Sequence, residues 1–151
     1  MAEKNRQSRA PRFLIAAIVF TIISYAINML GAFADMKYYL NPDYLPVWSK
    51  LMMPGPGPPP AEFIYYSLLF TFVIALLFVF VYIRIRPVFK SKSLAKNGIK
   101  YGFGVFLIGV IPGYLSLFLL INLPVGLIVS WTAQSLISYL IAGAAVAKII
   151  K

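Results

Sequence analysis

The chain has 151 residues, of which 61% are hydrophobic and only 12% charged. Soluble domains carry about 45–50% and about 25% respectively, so one domain of this length has no way to hide so much apolar surface from water. The chain contains no cysteine and no histidine. That excludes a disulfide framework, a thiolate nucleophile, zinc sites built on Cys or His and a histidine general base. No cofactor is expected, and any enzymatic reading narrows to carboxylates.

Four stretches are long and apolar enough to cross about 30 Å of hydrocarbon, which takes roughly 20 residues as helix. The first covers 13–33, behind Pro11 and Arg12 and ahead of Asp35. It exceeds the roughly 7–15-residue apolar core of a signal peptide and is read as a retained span, although Ala32-Phe33-Ala34 has the small-residue pattern of a cleavage site. Ala17, Thr21, Ser24, Asn28 and Gly31 recur at spacings of three and four, which puts them on one helix face.

Residues 34–62 form a loop rich in proline and aromatic residues. Leu45, Trp48, Leu51 and Met52 are spaced to share one face of a short helix lying on the membrane surface, where tryptophan and tyrosine favour the headgroup layer. Pro54-Gly55-Pro56-Gly57-Pro58-Pro59-Pro60 is barred from helix and sheet and tends toward polyproline II. Pro60 and Glu62 suit the start of the next helix. Asp35, Asp43 and Glu62 are the loop's acids. Converging, they would bind a divalent cation or act as acid and base, but their spacing favours solvated surface charges, and no metal is assigned. Asp35, Asp43, Trp48 and Glu62 are the candidate contact residues of the loop.

The second span covers 63–83, with Ser67, Thr71 and Ala75 on one stripe. Residues 84–100 carry Arg84, Arg86, Lys90, Lys92, Lys96 and Lys100 with no acid. The loop has few aromatics and no recognition motif, so its charge reads as a membrane-orienting signal and nucleic acid is not expected as a partner. The third span, 101–121, holds the pair Gly109 and Gly113 with Ser116 continuing the line, and Pro112 predicts a kink there, with Tyr114 or Ser116 placed to satisfy the freed carbonyl. After a four-residue connection the fourth span, 126–147, places Ser130, Gln134, Ser138 and Ala142 four residues apart.

The predicted fold is therefore an all-α membrane protein, 1–151 as a single four-transmembrane-helix bundle. An even span count puts the N-terminal tail, the 84–100 loop and the C-terminus on one side, with twelve of the fourteen basic residues. The positive-inside rule assigns that side to the cytoplasm, making a multi-pass protein of the plasma membrane with both termini inside. In lipid the small-residue stripes are expected to pack against one another, with Asn28 and Gln134 seeking each other or a hydroxyl partner.

The run Trp48-Ser49-Lys50-Leu51-Met52-Met53-Pro54, the prolines up to Pro60, Leu123-Pro124 and Ser130-Trp131-Thr132 resemble features of small four-helix integral membrane proteins of prokaryotes. The resemblance spans about two-thirds of the chain, carries no catalytic motif and implies no activity. Besides the lipid bilayer, a protein partner or a second copy is expected. The leading expectation is a non-catalytic subunit or assembly partner of a membrane complex. A small oligomeric transporter or channel, with Ser24, Asn28, Ser130, Gln134 and Ser138 lining a path for a polar or lipid-like solute, is the alternative. A lipid-modifying enzyme using Asp35, Asp43 and Glu62 at the outer surface comes third.

Overall fold

The computed structural model describes residues 9–55 and 57–150. Glu3, Lys4, Arg6 and Lys151, whose charges entered the topology reading, lie outside these residues, as does Pro56. Among the described residues, four helices are long and apolar enough to span a membrane: Ala10–Ala34, Ala61–Val88, Leu94–Leu120 and Val125–Ile150. Each begins before the apolar stretch that announced it. A 26-residue helix is about 39 Å long at 1.5 Å per residue, so its ends pass through the headgroup layers, where charged side chains cost little.

Local chemistry sets the ends. Pro11 sits in the opening turn of Arg9–Ala34, where a missing N–H is no loss. Pro60, in extended conformation, occupies the cap position of Ala61–Ile85 and accepts from the Phe63 amide at 3.0 Å. Pro87 then tightens the chain into a 3-10 turn, Arg86–Val88. The third span starts seven residues before the predicted position. Ser93 caps it, its hydroxyl accepting from the Lys96 amide at 3.4 Å, so a segment assigned to the basic loop is helical instead.

That third span is not one continuous α-helix. Leu94–Val105 passes into a π-helical segment, Phe106–Val110, in which the Ile111 amide reaches back five residues to the Phe106 carbonyl. Ile111–Leu120 follows, with Pro112 in its first turn. The extra residue accommodated by the π turn lies just ahead of the proline, where the helical hydrogen-bond ladder is already incomplete. Tyr114 and Ser116, expected to cover the freed carbonyl, do not: the Tyr114 hydroxyl pairs with Ser135 Oγ at 3.0 Å, and Ser116 is exposed.

The second span packs on the first, the first on the fourth and the fourth on the third. Toward the basic end the ring closes through aromatics. Phe20, Phe78, Tyr82, Tyr101 and Tyr139 form one cluster, with Phe78 and Tyr101 centroids 4.4 Å apart and Phe20 and Phe78 4.8 Å apart. The Tyr101 hydroxyl donates to the Phe78 carbonyl at 2.7 Å, tying the third span to the second. Ala16, Ala17, Ala75 and Val79 are fully buried beside this cluster and let the helices approach.

The third and fourth spans touch backbone to backbone. A Cβ at Gly98 would strike the Gly143 carbonyl, and one at Gly102 would strike the Tyr139 carbonyl. Gly98 and Gly102 form the GxxxG contact that is used; Lys100 between them had marked the segment as loop. Lipid supplies no hydrophobic drive, so such close contact is what holds two helices together. The pair singled out from sequence, Gly109 and Gly113, faces outward with open space above both, and Ser116 does the same. At the basic end the Arg86 guanidinium donates to the Ile150 carbonyl at 2.9 Å, satisfying an orphan acceptor at the end of the fourth helix.

Candidate functional site

At the opposite end of the bundle the chain turns out of the first helix at Asp35, whose amide still bonds the Gly31 carbonyl at 2.9 Å. That last helical bond aims the carboxylate inward, toward the fourth span, and leaves Asp35 only 3% exposed. Its Oδ2 accepts from Gln134 Nε2 at 2.8 Å and from Ser130 Oγ at 3.0 Å. Gln134 Nε2 also reaches Ser130 Oγ at 2.9 Å, closing a triangle of three polar side chains. Gly31 makes room for it, since a Cβ there would occupy the place of the Gln134 amide. Two charge-assisted bonds to one oxygen replace the water that a buried carboxylate gives up.

Aromatic residues roof this triangle. Met36–Tyr39 makes one helical turn, and a 3-10 segment, Pro42–Val47, follows, with Asn41 Oδ1 accepting from the Asp43 amide at 3.0 Å. The expected amphipathic helix through Leu45, Trp48, Leu51 and Met52 does not form. Trp48 leaves the segment in extended conformation, and the chain turns again at Ser49, which binds the Met52 and Met53 amides. Trp48 folds onto the bundle instead of lying on the membrane surface, 5.3 Å from the Tyr39 ring and 6.2 Å from Trp131. Trp131 Nε1 donates to the Tyr39 hydroxyl at 3.0 Å, and Tyr114 stands 6.5 Å from Trp131. Beneath them Leu123, Leu127 and Ile128 are buried. The Tyr38 hydroxyl lies against Gly126.

The electrostatics follow from this roof. The Tyr39 phenol titrates above the ordinary value of 10.0, first because burial disfavours the phenolate; the Trp131 N–H opposes that, and the Asp35 charge adds to it. Trp48 Nε1 is buried without an acceptor.

The sequence-predicted residues divide sharply. Asp35, Ser130 and Gln134 come together, so the reading of Asp35 as a solvated surface charge is corrected: one turn of register past Gly31 carries it into the interface. Asp43 and Glu62 are exposed and do not join it. Among the described residues no group of three acids is placed to hold a metal ion. Ser24 and Ser138 are buried at 6% and 4% exposure, each hydroxyl without a partner. Asn28 is exposed and makes no hydrogen bond, so the expected pairing of Asn28 with Gln134 is corrected too. The buried residues there are Ala17, Phe20, Ser24, Gly31 and Asp35; Asn28, four after Ser24 and three before Gly31, lies on the same stripe but is exposed. Pro112 is exposed beside the π turn.

Tyr39, Tyr114 and Ser135 carry the site with Trp131, and no spacing rule had selected them. The available signal was compositional: both tryptophans of the chain lie at this end. Compared with known proteins, the chain matches no family model, no curated protein sequence and no solved structure.

Proposed function

We propose that this chain is a non-catalytic integral membrane subunit, with its basic end in the cytoplasm, whose third span docks the transmembrane helix of a partner protein. The observation that carries the reading is where the polar groups are spent. Asp35, Ser130 and Gln134 bind one another, while the third span is the least buried of the four and turns Gly109, Gly113 and Ser116 outward. Small residues on an outer face let a second backbone come close, which is the main source of affinity between helices in lipid. The exposed Asn28 amide makes no hydrogen bond, which leaves a polar group for which a partner supplies the missing bond.

The test is gentle extraction from the native membrane into nanodiscs, followed by native mass spectrometry of the wild type and a Gly109→Leu/Gly113→Leu variant. The reading expects a second protein at fixed ratio that the variant loses while keeping its helix content. Recovery of the chain alone overturns it. A homo-oligomer would keep the docking face and replace the partner with a second copy.

A further inference from the structure

On the lipid-facing side of the bundle a groove runs between the third and fourth spans toward the basic end, lined by Ile99, Leu140, Ile141, Ala144, Ala145 and Lys148. Its origin is the glycine contact. Because Gly98 and Gly102 meet the backbone at Gly143 and Tyr139, the two helices approach so closely that flanking side chains are pushed to either side. On this side the fourth helix presents alanines at the floor, with Ile99 and Ile141 as walls, 42% and 50% exposed.

Leu140, Ile141, Ala144, Ala145 and Lys148 follow spacings of three and four and so share one face. From Leu140 to Lys148 the trough is about 12 Å long, close to one leaflet's share of the hydrocarbon. It ends at an amine. Lys148 is exposed, and the acids among the described residues, Asp35, Asp43 and Glu62, all lie toward the other end of the bundle. Lys96, one turn before Ile99, is exposed on the third span toward the same end.

We propose that this groove is a binding site for one anionic phospholipid, its acyl chain along the alanine trough and its phosphate on Lys148. The length and the charged end argue for a lipid, because the apolar trough covers about one leaflet and stops at an amine at headgroup depth. The charge argues for an anionic headgroup, because basic pockets between spans at a membrane surface favour phosphate groups.

The experiment adds dioleoyl phosphatidylglycerol or dioleoyl phosphatidylcholine, at equal concentration, to delipidated full-length protein and counts retained lipids by native mass spectrometry. One phosphatidylglycerol per chain, retained well above phosphatidylcholine, is expected. Lys148→Gln should weaken retention about fivefold, the factor for one lysine at an anionic surface. Ala145→Phe, which fills the trough, should abolish it, and Arg84→Gln, basic but outside the groove, should leave it unchanged. Equal retention of the two lipids, or equal losses in Lys148→Gln and Arg84→Gln, overturns the proposal. Displacement by millimolar inorganic phosphate also overturns it, since that marks a free-anion site. Circular dichroism checks folding; if Ala145→Phe loses helix content, the lipid comparison and the two charge variants decide.

Discussion

Removing the carboxylate of Asp35 tests whether the triangle at the end of the first span holds the bundle or merely fills it. Asp35→Ala deletes the acceptor of two bonds, at 2.8 and 3.0 Å, but leaves Gln134 and Ser130 bonded to each other at 2.9 Å. Interhelical bonds in membranes average about 0.6 kcal/mol and reach about 1.7, so losing two predicts a cost of about 1 to 3 kcal/mol. The opposing effect is relief of a buried charge, and replacing buried ions with apolar groups is often neutral or stabilising. The two lost bonds should prevail, because the alanine variant leaves the Gln134 amide with a single partner where it had two. Asp35→Asn keeps an acceptor and loses the charge, and should cost about half as much. The assay is reversible unfolding in mixed micelles, followed by fluorescence of Trp48 and Trp131, in a double-mutant cycle with Gln134→Ala. A coupling near 1 kcal/mol is expected. Stability at or above wild type in both Asp35 variants, with no coupling, would refute the argument.

Gly102→Val should cost more than Gly113→Val by about 1–3 kcal/mol in detergent unfolding, because only the first forces apart helices already in backbone contact. Tyr39→Phe removes the acceptor of the Trp131 indole and should cost about 1 kcal/mol, with a shift in tryptophan emission. Tyr39 also makes stability depend on pH. Its phenol is raised in the fold, so its contribution is complete below the unfolded value of about 10 and disappears as pH climbs through the higher folded value. Alkaline unfolding of Tyr39→Phe should lack that segment. Since the chain has no native cysteine, Asp43→Cys and Lys92→Cys give clean labels for an impermeant thiol reagent on intact cells. Asp43→Cys should react from outside and Lys92→Cys only after lysis; the reverse would invert the proposed orientation.

The helices were legible because lipid imposes a length of apolar sequence that little else requires, and Phe13, Phe63 and Gly126 each lie within three residues of the start of their spans at Ala10, Ala61 and Val125. The third span shows the limit of that reading. Hydropathy placed its start at Tyr101, after the last lysine, but Ser93 caps a helix that carries Lys96 and Lys100 through the headgroup layer. Depth along a stripe was the second obstacle. Spacings of three and four put Asn28 on the stripe that Ser24, Gly31 and Asp35 share, but spacing does not encode burial, and Asn28 is exposed where those three are buried. The amide drew attention because it is polar, yet the small residue Gly31 decided the face by leaving room for Gln134. The roof of Tyr39, Trp48, Trp131 and Tyr114 joins residues up to 92 positions apart, and no local pattern encodes that.

The π turn at Phe106–Val110 divides the third span into two mechanically distinct parts. Below it, Leu94–Val105 is held by glycine contacts with the fourth span and by the Tyr101 hydroxyl, so its position is fixed by backbone. Above it, Ile111–Leu120 meets the fourth span mainly through side chains, among them the Tyr114–Ser135 bond and the Tyr114–Trp131 ring contact. Side-chain contacts rearrange at less cost than interlocked backbones, and the π turn already lacks the regular ladder that would stiffen the joint. A helix docking against Gly109 and Gly113 would therefore meet the part of the span that can adjust, supported from below by the part that cannot. Hydrogen exchange in nanodiscs should show this difference directly, with amides of 98–105 protected well beyond those of 113–120. Equal protection across the π turn would mean that the span behaves as one rigid rod and that the outward glycines carry no mechanical advantage.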